Sequence, residues 1–228
     1  MAGASPDIRS WRPQRFGRRA SRHVDDPLVE PLWSGLRVLA YVEPSGAELL
    51  DADGEAHSWP RVAEALSAGV HASSAVLDGY LTTQTTGSGV GAYAEPQIQG
   101  SSLDGMARRL FGFGGRRNRR AEMIETRERE NPHFEPEDAV VFVAIDLLAL
   151  DGEPFLDVPL LERKRLLDAV IEETELVRRG MHIRPPINIW LGTWRMLGFR
   201  SIAFKDVNSR YRPGEINDDW ATAVIPPR

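Results

Sequence analysis

Few side chains in this sequence can do covalent chemistry. There is no cysteine, so thiol nucleophiles, disulfides and thiolate metal sites are excluded. Only two lysines occur, Lys164 and Lys205; almost all positive charge is arginine. The five histidines, His23, His57, His71, His133 and His182, are scattered without ligand spacing, so no metal site is expected. No serine sits in a nucleophile-elbow setting. Gly87-Ser88-Gly89-Val90-Gly91 lacks the lysine of a phosphate-binding loop and does not fit the dinucleotide fingerprint. Binding chemistry is better represented. Arg37 and Lys205 fall in strand-like runs, where a long cation needs an anion; Asp78, Asp146 or another internal carboxylate is favoured over a phosphate. Arg108, Arg109, Arg116, Arg117, Arg119 and Arg120 are interleaved with Phe111 and Phe113, and could grip phosphates and stack a base, or form a solvated loop.

The elements that position these groups are readable in outline. Val140 to Ile145 is a continuous apolar run with the β-branched enrichment of a buried strand, stopped by Asp146. Asp146 is expected as a hydrogen-bonded strand terminus. Asp151-Gly152 signals a turn, and Pro159 opens a helix at its first position, with Leu160, Leu167, Val170 and Ile171 at helical spacing behind it. Arg178-Arg179-Gly180 is expected to end that helix. Leu36 to Val42 and Ala47 to Leu50 predict a hairpin around Pro44-Ser45-Gly46. Asp51 to Gly54 forms a turn, Trp59-Pro60 opens a helix to about Leu66, and Val76 to Thr82 is a strand, with Asp78-Gly79 expected as a strand-end turn. Trp190 and Trp194 lie on a predicted amphipathic helix from Ile187 to Leu197, packing into the core. Arg200 to Phe204 and Trp220 to Ile225 are the last strands.

Composition suits a soluble globular chain: 42% hydrophobic, 27% charged and net charge -5, which excludes a wholly basic nucleic-acid binder. No apolar run is long enough to span a membrane, and the N-terminus lacks a signal h-region, so the expected location is cytoplasmic. Residues 1–23 carry six arginines, Arg9, Arg12, Arg15, Arg18, Arg19 and Arg22, against Asp7. Trp11 and Phe16 could dock this stretch, yet its composition favours a basic, disordered arm ahead of a domain over residues 24–228. A long Gly/Arg-rich insertion, about residues 83–138, separates two core strands.

The stretch Ala139 to Arg165 resembles the third-motif region of ATP-dependent DNA ligases, in which a core strand ends in an aromatic-Asp-Leu-Leu run followed by a turn and a Pro-Leu helix. Val29-Glu30-Pro31-Leu32-Trp33-Ser34-Gly35-Leu36-Arg37 resembles the family's nucleophile motif, Lys-x-Asp-Gly-x-Arg. Val76 to Tyr80 resembles its Asp-Gly-Glu strand, while Ser201 to Lys205, Ser209 to Gly214 and Trp220 resemble its last two motifs. Order and most spacings match from about Val24 to Val224. The resemblance implies an α+β fold: an adenylation domain of the DNA-ligase and nucleotidyltransferase type, with mainly antiparallel sheets flanked by helices and without the family's following OB domain.

Enzymes of that family attack the α-phosphate of ATP with a lysine and pass the nucleotide from lysyl-AMP to a 5′-phosphate end. At the matching positions this chain has Leu32 for the nucleophile, Ser34 for the acidic residue, Ala52 for an arginine, Tyr80 for a carboxylate, Ile145 for the stacking aromatic, Arg200 for the metal-associated glutamate and Thr222 for a lysine. Arg37, Asp78 and Lys205 keep the family's letters, and Lys164 is expected to be an exposed structural lysine on its helix. The expected function is therefore a catalytically degenerate ligase-like protein: a non-catalytic scaffold or nucleic-acid-associated subunit in DNA repair or end joining. No cofactor or metal is expected. DNA or RNA would bind through the arginine clusters, and a ligase or repair protein is a further candidate partner, with no membrane association. The alternatives are an active ATP-dependent ligase with unorthodox residues, using ATP and Mg, and a noncovalent nucleotide sensor built on Arg37 and Lys205.

Overall fold

A computed structural model describes residues 7–84 and 140–227. The insertion from residue 85 onward, with its six arginines from Arg108 to Arg120, lies outside the described residues. Two sheets form the frame. The larger is built on β3 (Leu36–Glu43), β4 (Gly46–Leu50), β5 (Ala75–Thr82), β6 (Val141–Leu150) and β7 (Glu153–Pro154), in the order β4-β3-β5-β6-β7, all antiparallel. A short strand, β8 (Val177–Arg179), adds to β6 in parallel. The smaller sheet sets β9 (Ser201–Asp206) between β2 (Pro27–Pro31) and β11 (Trp220–Val224), again antiparallel. Finally, β1 (Arg15–Phe16) pairs in parallel with β10 (Ile216–Asn217).

Helices cover the outer faces. α1 (Pro60–Gly69) and α2 (Leu160–Val170) place Val62, Leu66, Leu167 and Val170 against Val38, Ala40, Leu77, Phe142 and Ala144 of the larger sheet. α3 (Asn188–Met196) buries Trp194 against Val29 and Ile202 of the smaller one and Ile225 just past β11, with the Trp190 ring 6.2 Å away. The inner faces meet through Leu28 and Trp220 on one side and Leu39, Tyr41, Val76 and Leu148 on the other. Side chains alternate along a strand, so Arg37, Leu39 and Tyr41 of β3 and Asp78 and Tyr80 of β5 share this inner face.

Several expectations are corrected. Residues 7–23 are not a free arm. Trp11 and Gln14 are buried, the Tyr41 hydroxyl donates to the Trp11 carbonyl at 3.0 Å, and Phe16 packs on Trp220 with ring centroids 5.7 Å apart. Few apolar anchors suffice because the strap is also held by hydrogen bonds. Asp78 and Asp146 end no strand: each lies inside one, fully buried, and the two are register partners across β5 and β6. Gly79 is needed for packing rather than turning, since a Cβ there would collide with the Phe142 ring and the Val143 carbonyl. α2 ends at Val170, capped by the Ile171 N–H bonding to Leu167, so Arg178 and Arg179 belong to β8 instead of a helix end. Pro159 is the N-cap of α2, one residue before its first turn.

Candidate functional site

The space between the two sheets is held by three ion-paired groups. The first surrounds Glu30, which points inward from β2. Its carboxylate receives Lys164 Nζ from α2 at 2.5 Å and Lys205 Nζ from β9 at 2.7 Å, and all three side chains are almost wholly buried. Lys205 Nζ also stands 4.0 Å from the centroid of the Trp220 ring, a cation–π contact that absorbs part of its charge. Lys164 is thus buried, against expectation. Burial pushes the Glu30 carboxyl up, but Lys164 and Lys205 outweigh it and hold the pKa down at about 2. Burial, aided by Lys164 and opposed by Glu30, lowers Lys205 to about 8.

The second group centres on Asp78. Arg37 donates Nε to Oδ1 at 2.9 Å and Nη2 to Oδ2 at 2.5 Å, and the Tyr211 hydroxyl donates to Oδ2 at 2.7 Å. The remaining Arg37 nitrogen, Nη1, donates to the Gln14 carbonyl at 2.7 Å. Burial works against the Arg37 charge, Asp78 outweighs it, and the pKa rises well above the usual arginine value; burial and Asp78 together raise Tyr211. The third group joins Asp146 to Arg163 of α2 by two bonds, at 2.9 and 2.8 Å, and Arg163 Nη1 also donates to the Ser209 carbonyl at 3.0 Å. Asp78 and Asp146 face each other across adjacent strands, where like charges repel. A guanidinium on each removes that repulsion.

The remaining expected site residues are distributed around these groups. Tyr80 is buried, opposite Arg37 on β3 and Val143 on β6, and burial raises its pKa. Ile145 joins Tyr80 and Val143 in an apolar cluster, with Leu32 half-buried at its margin. Ser34 is exposed, its N–H and hydroxyl both donating to Gln84 Oε1. Arg200 is exposed one residue before β9, and Thr222 is exposed on β11. Structure therefore brings together Arg37, Asp78 and Tyr80 on one sheet and sets Lys205 opposite. Arg200 and Thr222 stand outside the buried groups.

Glu30, Gln14, Arg163, Lys164 and Tyr211 emerge only in three dimensions. One signal was available for the pair on α2: Arg163 and Lys164 stand three and four residues after Leu160, on the same helical face as Leu160 and Leu167.

Both inward carboxylates of the larger sheet are capped by two guanidinium bonds each, and Glu30 is occupied by two ammonium groups. Among the described residues no three His, Cys, Asp or Glu side chains are grouped to hold a metal ion. A change of pH reads the Glu30 group directly. Its stabilising contribution is complete above the unfolded pKa of 4.5 and is lost as pH falls toward 2. A shift of this size in a buried group corresponds to roughly 3 kcal/mol. The difference in Tm between the wild type and Glu30→Gln should therefore shrink on acidification through this window; a constant difference would show that the carboxylate is not ionised in the folded chain.

The architecture, with two mainly antiparallel sheets, inward motif strands and outer helices, is that of a DNA-ligase adenylation domain. Among solved structures, the chain is similar to the ligase domain of M. tuberculosis LigD, with a TM-score of 0.59, 20% identity and coverage of 95% of this chain and 60% of that one. It is also similar to a mycobacterial DNA ligase D complexed with ATP and MES (TM-score 0.60, 20% identity, 95% and 60% coverage). A Lig E DNA ligase matches at TM-score 0.51 and 11% identity, covering 93% of this chain and 68% of that one. The chain spans about 60% of the length of the two ligase D chains. No family model matches the sequence, and no curated protein does. No helix among the described residues is long and apolar enough to cross a membrane.

Proposed function

We propose that this chain is a catalytically degenerate relative of the ATP-dependent DNA ligases, acting as a non-catalytic, nucleic-acid-associated subunit or scaffold in DNA repair or end joining. The observation that carries the reading is the fate of its only two lysines. Lysyl transfer needs an accessible amine beside the α-phosphate. Leu32 stands at the matching position, and Lys164 and Lys205 are both buried on Glu30. A nucleotide sensor built on Arg37 and Lys205 is disfavoured for the same reason: each is already matched to a carboxylate. Fold similarity supports the ligase-like character, and the retained Gly35, Gly79, Asp78, Asp146 and Trp220 all have packing or ion-pairing roles that need no catalysis.

The test is incubation of the full chain with labelled ATP and Mg²⁺ or Mn²⁺, followed by intact mass spectrometry. No covalent adduct is expected; an AMP-sized increment on the wild-type protein would overturn the proposal. Leu32→Lys restores the amine alone. Attack on the α-phosphate also needs an oriented metal and an in-line leaving group, for which Tyr80, Arg200 and Thr222 supply nothing. The single variant is expected to form no lysyl-AMP. Adenylation of the introduced lysine would show that only the nucleophile had been lost.

A further inference from the structure

We propose that Arg15, Arg18, Arg19 and Arg22 on the N-terminal strap, with Arg210 and Arg212 on the loop before β10, form a fixed surface for the phosphate backbone of a nucleic acid; this rests on the nucleic-acid-associated reading above. Backbone pairing brings the two segments together. Arg15 is the register partner of Ile216, and its N–H donates to the Glu215 carbonyl at 2.7 Å. The Arg212 N–H donates to Gln14 Oε1 at 2.7 Å, and the Gly17 N–H to the Trp220 carbonyl at 2.8 Å. Beyond Gly17, the strap continues past Arg18 and Arg19 to a 3-10 turn, Ser21–His23.

All six arginines are exposed, and among the described residues none of them is in an ion pair with a carboxylate. Exposed acids do lie nearby: Asp25, Asp26, Glu215 and Asp218. Asp26 is paired with Arg184 at 2.5 Å, and Asp218 accepts the Arg18 N–H at 3.2 Å. A positive excess remains, on a chain whose net charge is -5. Guanidinium groups suit phosphate because they can donate two parallel bonds. A strap already held by hydrogen bonds presents them with less ordering cost than a free arm would. The surface adjoins the rim of the space between the sheets, since Phe16 between Arg15 and Gly17 packs on both Trp220 and Arg37.

Fluorescence anisotropy of the full chain with labelled duplex and single-stranded DNA, followed over a salt titration, tests the assignment. Replacing Arg15, Arg18, Arg19 and Arg22 with serine is expected to weaken binding on the order of tenfold at low salt. The slope of log K against log salt should fall by about 0.9 for each lost duplex phosphate contact. Because these side chains are exposed, Tm should hold. An unchanged slope in this variant, with binding abolished by serine at Arg116, Arg117, Arg119 and Arg120, overturns the surface but leaves the nucleic-acid reading standing. No binding to either DNA by the wild type removes both. Displacement of the DNA by polyglutamate at equal charge overturns the assignment to phosphate.

Discussion

Glu30→Leu is expected to destabilise the protein by about 3–5 kcal/mol, the cost of removing one member of a buried ion group and stranding its partners. Lys164 and Lys205, each 1% exposed, would be left facing one another without their shared anion. That loss is a large share of the ~5–15 kcal/mol by which domains are stable. The Tm should fall by roughly 6–20 °C for a chain of this size. The triple variant Glu30→Leu, Lys164→Met, Lys205→Met should recover most of the loss, because an apolar filling of similar volume removes the charges together with their need for one another. Urea denaturation of the wild type and the two variants measures both effects. A single variant that loses less than about 1 kcal/mol would mean that water reaches the two ammonium groups and that the core is more open than described.

The second large effect is expected at Arg163. Its guanidinium makes two bonds to Asp146, and it also serves the carbonyls of Val158 and Ser209. Arg163→Leu leaves a carboxylate with 0% exposure uncompensated beside Asp78 and strips two carbonyls of a donor. The loss should again be about 3–5 kcal/mol. It should also be local: the amides of Leu160 and Leu161, which tie the start of α2 to the Ser209 and Val207 carbonyls, should exchange faster with deuterium than those of β3. Asp146→Asn added to Arg163→Leu should return part of the stability, since the buried charge is then gone. If exchange accelerates equally throughout the chain, or Tm stays within about 2 °C of wild type, Arg163 does not hold α2 to Asp146 and the Ser209 loop.

What the sequence disclosed, and what it hid, follows from range. Patterns set by near neighbours were legible: the β3–β4 hairpin, the buried β6 run, the Pro60 and Leu160 helices, and the β5 strand. Groups assembled from distant segments were not. Glu30 reads as one polar letter in Pro27-Leu28-Val29-Glu30-Pro31, and nothing local says that two lysines from α2 and β9 converge on it. The strap escaped notice because arginine content dominates its composition, whereas Trp11, Gln14 and Phe16 decide its place. Lys164 was a different failure. The helical spacing that marks Leu160 and Leu167 as inward also marks position 164, but a lysine is buried only when paired, and its partner Glu30 lies in a distant strand. At the site, the losses at Leu32, Tyr80 and Ile145 were visible as letters, and internal carboxylate partners were expected for Arg37 and Lys205; that Lys205 takes Glu30, and shares it with Lys164, was not legible.

The docked strap has a consequence for biosynthesis. Gln14 makes its bonds with Tyr211, Arg212 and Asn217, separations of 197, 198 and 203 residues. β2 likewise mates with β9 near the far end of the chain. On a ribosome adding about 5–20 residues per second, the strap and β2 leave the tunnel on the order of 10–40 s before their partners exist. Throughout that interval Phe16 lacks the Trp220 ring, Leu28 and Val29 lack their β9 partners, and the smaller sheet cannot begin to form. The larger sheet is complete once β8 has emerged at Arg179, so the nascent chain passes through a stage with one sheet folded and its first apolar strand still unpaired, the stage at which a holding chaperone would find it.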